Sequence, residues 1–421
     1  MDRNPADAQN TLRQVDALAQ KDGGVARGPV RSASGVELED DGDRVTPGDE
    51  PVKHKLQAAL EEGRTADAVV TPASLRQAVE ELLQDQPVFA DLVPDDDERR
   101  QLLHLFATLP LAPALAVELT SARDERPEVL QHSLKVAYCA AALAHRCGLP
   151  HHEVENAVAA GLFHDLGLLH VDPELLRGRR PLLEHERNYL YAHPLTSYLI
   201  LEHNPIWHPV VSTAVLEHHE RIDGSGYPKG LAGSRLGHLG QLLAVAELGA
   251  TLLSYVGGPA MRSRLGVVLS MNDGKLNREY ANRLLEMFPP AATSGMPPPP
   301  LGRTLEVLVD LSVCFMRWQA VAKQTPVLPL AAFIDKRMLY LSHSIADIGI
   351  DLEYWSTFNT DTDFDEKSLT EMEAAAHESI WQVHAIADEA RRHWEHLIGD
   401  SKANIVAVEG WLTSVDAMRR D

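Results

Sequence analysis

Apolar residues recur along most of this chain at the spacing of one helical face. Thr71-Pro72 reads as an N-cap with proline at the first helical position, and Leu75, Val79, Leu82 and Leu83 follow at i, i+4, i+7 and i+8. Leu92-Val93-Pro94-Asp95-Asp96-Asp97 breaks that helix and caps another running from about Glu98 to Thr108. From Glu128 to about Phe288 the period stays helical. Val129, His132, Val136 and Leu143 share one face, and Val154, Ala157, Val158, Gly161 and Leu162 share another. Strand-like alternation is scarce. Pro289-Pro290 and Pro297 to Pro300 cannot continue a helix and mark a linker. Beyond it, helices are expected over Leu305 to Lys323 and Ser368 to Ile398.

Residues 1–65 lack this pattern. They are rich in Asp, Glu, Gly and Pro, hold few large apolar side chains, and are expected to form a disordered acidic tail with at most a short helix at Lys53 to Glu62. The expected division is therefore a tail at 1–65, an N-terminal helical segment at 66–120, a central domain at 121–288, a Pro-rich linker at 289–300 and a C-terminal helical region at 301–421. The fold class is all-α.

Charge narrows the partners. Lys and Arg total 39 against 61 acidic residues among 421, a formal net charge of −22. Such a surface repels duplex nucleic acid and anionic lipid, whose binding depends on neutralising phosphates. A small anionic nucleotide in a metal-lined pocket escapes that objection, because bound cations reverse the local field. The 44% apolar and 24% charged composition is that of a globular protein. Cys139, Cys147 and Cys314 form no paired framework, Met1 to Asp7 lacks the apolar stretch expected of a signal peptide, and the apolar run from Leu236 to Val256 is broken by His238, Gln241 and Glu247. A cytoplasmic protein without membrane insertion is expected.

The candidate chemistry lies in the central domain. The chain has 20 histidines, so a histidine pair alone proves little. His151-His152, opening a helix beside Glu153 and Glu155, reads as a solvated cap. His164-Asp165 differs, because it ends a stretch of apolar and small residues where an unpaired carboxylate would cost several kcal/mol. His218-His219 follows the apolar run Val210 to Leu216 and leads into Glu220-Arg221-Ile222-Asp223-Gly224-Ser225-Gly226-Tyr227-Pro228. Glu128 and His132 share a helical face at i, i+4. Imidazole with carboxylate and no thiolate suits iron or manganese foremost, then zinc or nickel.

These motifs, in this order, resemble the HD-GYP family of the HD superfamily, associated with cyclic di-GMP phosphodiesterases. The resemblance runs from about Glu128 to Ser254, under a third of the chain. It implies an HD-domain helical bundle holding two or three divalent metals. The implied ligands are Glu128, His132, His164, Asp165, His193, His218, His219 and Glu247. Asp165 would bridge two ions, with His132 and His164 on one of them and His164 and Asp165 central to catalysis. Glu128 as a ligand would imply a third ion. The implied substrate is cyclic di-GMP or a related nucleotide, hydrolysed to linear pGpG or GMP by metal-activated hydroxide, with Arg221, Tyr227 and Lys229 contacting it. Two positions depart from the family. Leu168 stands where a phosphate-facing lysine is usual, with Arg177, Arg179 or Arg180 as candidate substitutes, and Glu247 replaces the usual aspartate. The alternatives are an HD-GYP-like signalling module with weak catalysis, or an HD phosphohydrolase acting on another nucleotide. A homodimer or a signalling partner would engage the C-terminal helices.

Two further patterns fail as sites. Asp361-Thr362-Asp363-Phe364-Asp365 lacks the glycine and the final glutamate of a calcium loop, with Glu366 and Met372 at those positions. Trp355, Trp381, Trp394 and Trp411 read as core and interface anchors of the C-terminal helices.

Overall fold

The computed structural model describes residues 69–176, 182–202, 204–207, 209–255, 261–288, 301–325, 328–350, 365–392 and 405–418. The tail, the linker, Arg177 to Arg180, Trp355, Trp394 and most of the rejected calcium-like loop lie outside them. The described residues are helical and contain no β-strand, only one isolated antiparallel bridge between Asp223 and Ala232.

Two compact units emerge: 1–256 with 274–288, and 257–273 with 289–421. In the first, α1 spans Pro72–Asp85, α2 Asp96–Thr108, α3 Pro113–Glu125, α4 Pro127–Arg146 and α5 His151–Phe163. Then come α6 at Glu184–Tyr191, α7 at His193–Glu202, α8 at Val210–Glu217 and α9 at His238–Tyr255. The second unit contains α10, Met261–Met271; the chain then supplies α11, Arg278–Glu286, to the first unit. Helices α12 (Leu301–Gln324), α13 (Pro329–Asp347), α14 (Glu366–Arg392) and α15 (Ile405–Asp416) complete the second unit.

Local signals set the starts. The Thr71 hydroxyl accepts from the Ser74 amide and Ser74 Oγ accepts from the Thr71 amide, a reciprocal cap ahead of Pro72. Helix α2 begins two residues before the expected Glu98, because the Asp95 carboxylate accepts from the amides of Asp97 and Glu98. Helix α12 likewise starts at Leu301, directly after the proline run, and not at Leu305. Helix α14 is described to Arg392, short of the expected Ile398.

The site-bearing unit is organised by close packing of α4 and α5. Ala137, Ala140, Ala141 and Ala144 of α4 and Ala157, Ala160 and Gly161 of α5 are buried. A Cβ at Gly161 would sit 2.5 Å from the Ala137 Cα, so only glycine permits this approach. That approach brings His132, on α4, toward His164 at the end of α5. Helix α9 packs on α4 at Gly249, whose absent side chain leaves room for Leu284 and the Cys139 thiol.

The second unit closes over its own apolar core, with Trp318, Leu330, Ile334, Val383 and Trp411 among the buried residues. Trp318 and Trp411 meet edge to face at 4.9 Å, whereas Trp381, read as a core or interface anchor, is 52% exposed. No single described helix is long and apolar enough to cross a membrane.

Candidate metal centre

Three helix ends deliver three histidines by the same local device. His164 follows the last residue of α5, His193 opens α7 and His218 follows α8. Each ring turns its Nδ1 back to the carbonyl three residues earlier: His164 to Gly161 at 2.8 Å, His193 to Leu190 at 2.6 Å and His218 to Val215 at 2.6 Å. Carbonyls at a helix end lack intrahelical donors, so an imidazole N–H satisfies them. With Nδ1 held by a carbonyl, each Nε2 faces inward, the orientation metal-ligating imidazoles require.

Asp165 occupies the centre. Its Oδ2 lies 3.1 Å from His164 Nε2 and 3.9 Å from His132 Nε2. Its Oδ1 lies 3.2 Å from His193 Nε2 and 3.9 Å from His218 Nε2. The two oxygens thus face two different pairs of imidazoles. Gly167 makes this possible, because a Cβ there would run into the His193 carbonyl oxygen, and its amide is held by the buried Ser197 hydroxyl at 2.8 Å. The segment Leu166–His170 is a 3-10 helix, packed chiefly against α7 and also against α3 and α4.

Three groups of donors lie close enough to share a cation: His132, His164 and Glu247; His164, Asp165 and His218; and His193, His218 and His219. Seven of the eight expected ligands fall in these groups. Glu128 does not. Its Oε1 pairs with Arg126 Nε at 2.8 Å and its side chain is 64% exposed. Arg126, nearly buried, also donates to the carbonyls of Leu168 and Val171.

The donors are poised for metal by several independent signs. Glu247 Oε2 is buried with no hydrogen-bond partner, a cost natural structures avoid unless something else satisfies the atom, and His164 Nε2, also buried, meets the Asp165 carboxylate at 3.1 Å outside hydrogen-bond geometry. His193 Nε2 and His218 Nε2 face each other at 3.3 Å, about the separation expected of two nitrogens each about 2.1 Å from one ion. Burial pushes His132 down to about 4 and holds His218 and His219 well below the ordinary histidine value, so all three are neutral donors. For Glu247 burial acts the other way and raises the carboxyl to about 7. His164 is a contest: burial opposes its charge, but the Asp165 carboxylate prevails and raises it to about 9. Burial also works against Asp165, yet His164 and His193 keep its carboxyl well below the usual range. The residues therefore fit divalent cations, whose charge would replace the proton on His164.

Around the cage, Tyr227 stacks on His219 at 4.6 Å and 27°, and meets Tyr191 of α6 at 4.6 Å. Arg221 donates to the carbonyls of His218 and Glu220. Lys229 is exposed, and its amide donates to Glu220. Leu168 is partly buried. Lys135, one turn beyond His132 on α4, donates to Ser254 of α9 and adds a minor positive field at His132. The sequence reading missed Glu220, Ser197 and Tyr191; only the adjacency of Glu220 to His218-His219 marked any of them.

Comparison with known proteins bears on the same stretch. Residues 117–267 match the family described as HD domain, and an HD domain is what this segment is. The chain is 30% identical over 229 residues to the cyclic di-GMP phosphodiesterase response regulator RpfG of Xanthomonas campestris, covering 49% of this chain and 56% of that protein. It is 35% identical to a cyclic di-GMP phosphodiesterase of Pseudomonas aeruginosa, over 28% of each chain. It is also 32% identical to the 3'3'-cGAMP-specific phosphodiesterase 1 of Vibrio cholerae, over 32% of this chain and 31% of that one. The chain thus spans about half the length of the first of these relatives and under a third of the other two.

Proposed function

We propose that this protein is a metal-dependent phosphodiesterase that hydrolyses cyclic di-GMP to linear pGpG or GMP. The observation carrying the proposal is the division of Asp165, one oxygen toward His132 and His164 and the other toward His193 and His218. That arrangement suits a carboxylate shared by two ions. When bound, such ions polarise the scissile phosphate and lower the pKa of a water for in-line attack.

The remaining work falls to the chain's own groups. Asp165 would supply the negative charge between the cations. His132, His164 and Glu247 make one half of the cage, and His193, His218 and His219 the other. The backbone carbonyls behind His164, His193 and His218 fix ring orientation before substrate arrives, so no reorganisation is needed during the reaction. With the cage histidines committed to cations, the leaving 3′ oxygen takes its proton from water. Arg221, Tyr227 and Lys229 border the site on the substrate side. The chain acts in the cytoplasm, with the part of 121–288 that belongs to the first unit as the catalytic domain and 301–421 as a regulatory or partner-binding region.

Support for a cyclic dinucleotide comes from relatives named for cyclic di-GMP and for 3'3'-cGAMP. The test is hydrolysis of both by purified protein loaded with iron or manganese. Cyclic di-GMP turnover is expected, and Asp165→Asn should lower kcat roughly a thousandfold, about 4 kcal/mol, the scale of losing one partner of a buried charged pair. Equal turnover by that variant would remove the site from the reaction.

Leu168 favours a second reading. No cationic side chain stands there, so a signalling module that binds the nucleotide and turns it over weakly is the alternative. Calorimetry showing tight binding of cyclic di-GMP without product would select it.

A further inference from the structure

We infer that Glu220 is a positioning residue that locks the Gly226-Tyr227-Pro228 loop onto the metal cage and so sets how tightly substrate is held. This rests on the phosphodiesterase reading above.

Glu220 is 3% exposed, directly after His218-His219, yet it joins none of the donor groups able to hold an ion. Both its oxygens turn away toward the loop. Oε1 accepts from the Lys229 amide at 2.7 Å and Oε2 from the Leu231 amide at 2.9 Å. A carboxylate accepting on each oxygen from the main chain is a strong, charge-assisted fastener. The loop is also fitted to the Glu220 backbone, because a Cβ at Gly226 would run into the Glu220 Cα and the Arg221 amide nitrogen. On the outgoing side, the Tyr227 amide donates to the His219 carbonyl at 3.2 Å, and Asp223 holds Ser225 through both its amide and its hydroxyl.

The result is that Tyr227 is placed against His219 from both directions along the chain. Its ring lies nearly parallel to His219, a member of the second histidine group, and against Tyr191. Tyr227 therefore acts as a wall fixed relative to the cage, with Glu220 as the fastener and no direct part for Glu220 in the chemistry. The inference predicts an effect on substrate affinity that leaves the metals in place.

The experiment uses the full chain loaded with manganese. In Glu220→Gln one acceptor becomes a donor facing a main-chain N–H. Hydrogen exchange at Lys229 and Leu231 should accelerate at least about ten-fold, the loss of about one charge-assisted hydrogen bond. Metal content should equal that of the wild type. KM for cyclic di-GMP should rise roughly ten-fold with kcat within about three-fold, the pattern of lost binding and not of lost chemistry. In a Tyr227→Ala background the same substitution should change KM less than about two-fold, since coupled residues are not additive. Gly226→Ala, which lifts the loop without touching the carboxylate, should reproduce the KM change. Unchanged exchange, loss of metal, or full additivity with Tyr227→Ala would overturn the inference. Exchange and metal content need no substrate. A wild-type protein without turnover would count against the phosphodiesterase reading, and the fastener would then be decided by exchange alone.

Discussion

Asp165 and His164 form an ion pair as long as the cage holds only protons. His164 is raised to about 9 and Glu247 to about 7, so both must lose protons to become ligands. Metal and proton compete, and the sign follows: affinity for a divalent ion rises with pH and levels off above about 9. Calorimetry in buffers of different ionisation enthalpy should find more protons released per cage near pH 6 than near pH 8, with release falling away as pH rises past about 9. Release that does not vary with pH would contradict this assignment of the protons. Much of the residue-scale picture was legible in the sequence, because His164-Asp165 and His218-His219 are consecutive donors at the ends of apolar runs. Spacing puts Glu128 on the His132 face, but it cannot reveal that Arg126, just before α4, pairs with its carboxylate. Glu220 was missed because its partners are main-chain amides, which carry no sequence signature.

At the scale of elements, the site depends on two glycines that permit close approach. Gly161 lets α5 lie against α4, and Gly167 lets the 3-10 turn after Asp165 lie against His193. Gly167→Ala should push that turn away from α7 and separate Asp165 from His193, costing roughly 10- to 100-fold in metal affinity, the range for disturbing groups that orient ligands. Competition with a metal-binding dye measures it, and wild-type affinity would show that the close approach is dispensable. The helical period was readable along much of the chain, and the start of α1 followed from cap chemistry, whereas α2 starts at Asp96, two residues ahead of the expected Glu98. The 3-10 form of Leu166–His170 was not legible. It arises from tertiary packing against α7 and the Ser197 hydroxyl, which local propensity does not encode.

For the whole molecule, the division into two units is decisive. All the candidate ligands lie in the first unit, whereas the core around Trp318 and Trp411 belongs to the second. A ligand that binds only the folded form stabilises the unit that binds it, by about 2.7 kcal/mol at a hundredfold excess over Kd. Differential scanning calorimetry with and without manganese should therefore move one transition upward by several degrees and leave a second in place. A uniform shift of a single transition would contradict independent cores. The helical character of the C-terminal region was readable from its stripes. That α10, between α9 and α11 in sequence, joins its core through Val267 and Met271 was not, since an apolar helical stripe does not name the core it enters.

The central claim is that one carboxylate joins two cations between two sets of histidines. Anomalous diffraction from crystals of the manganese-loaded protein tests it most directly. Two peaks roughly 3.5–4 Å apart are expected, with Asp165 between them, His132, His164 and Glu247 around one and His193, His218 and His219 around the other. A single peak, or peaks that leave Asp165 uncoordinated, would contradict the account.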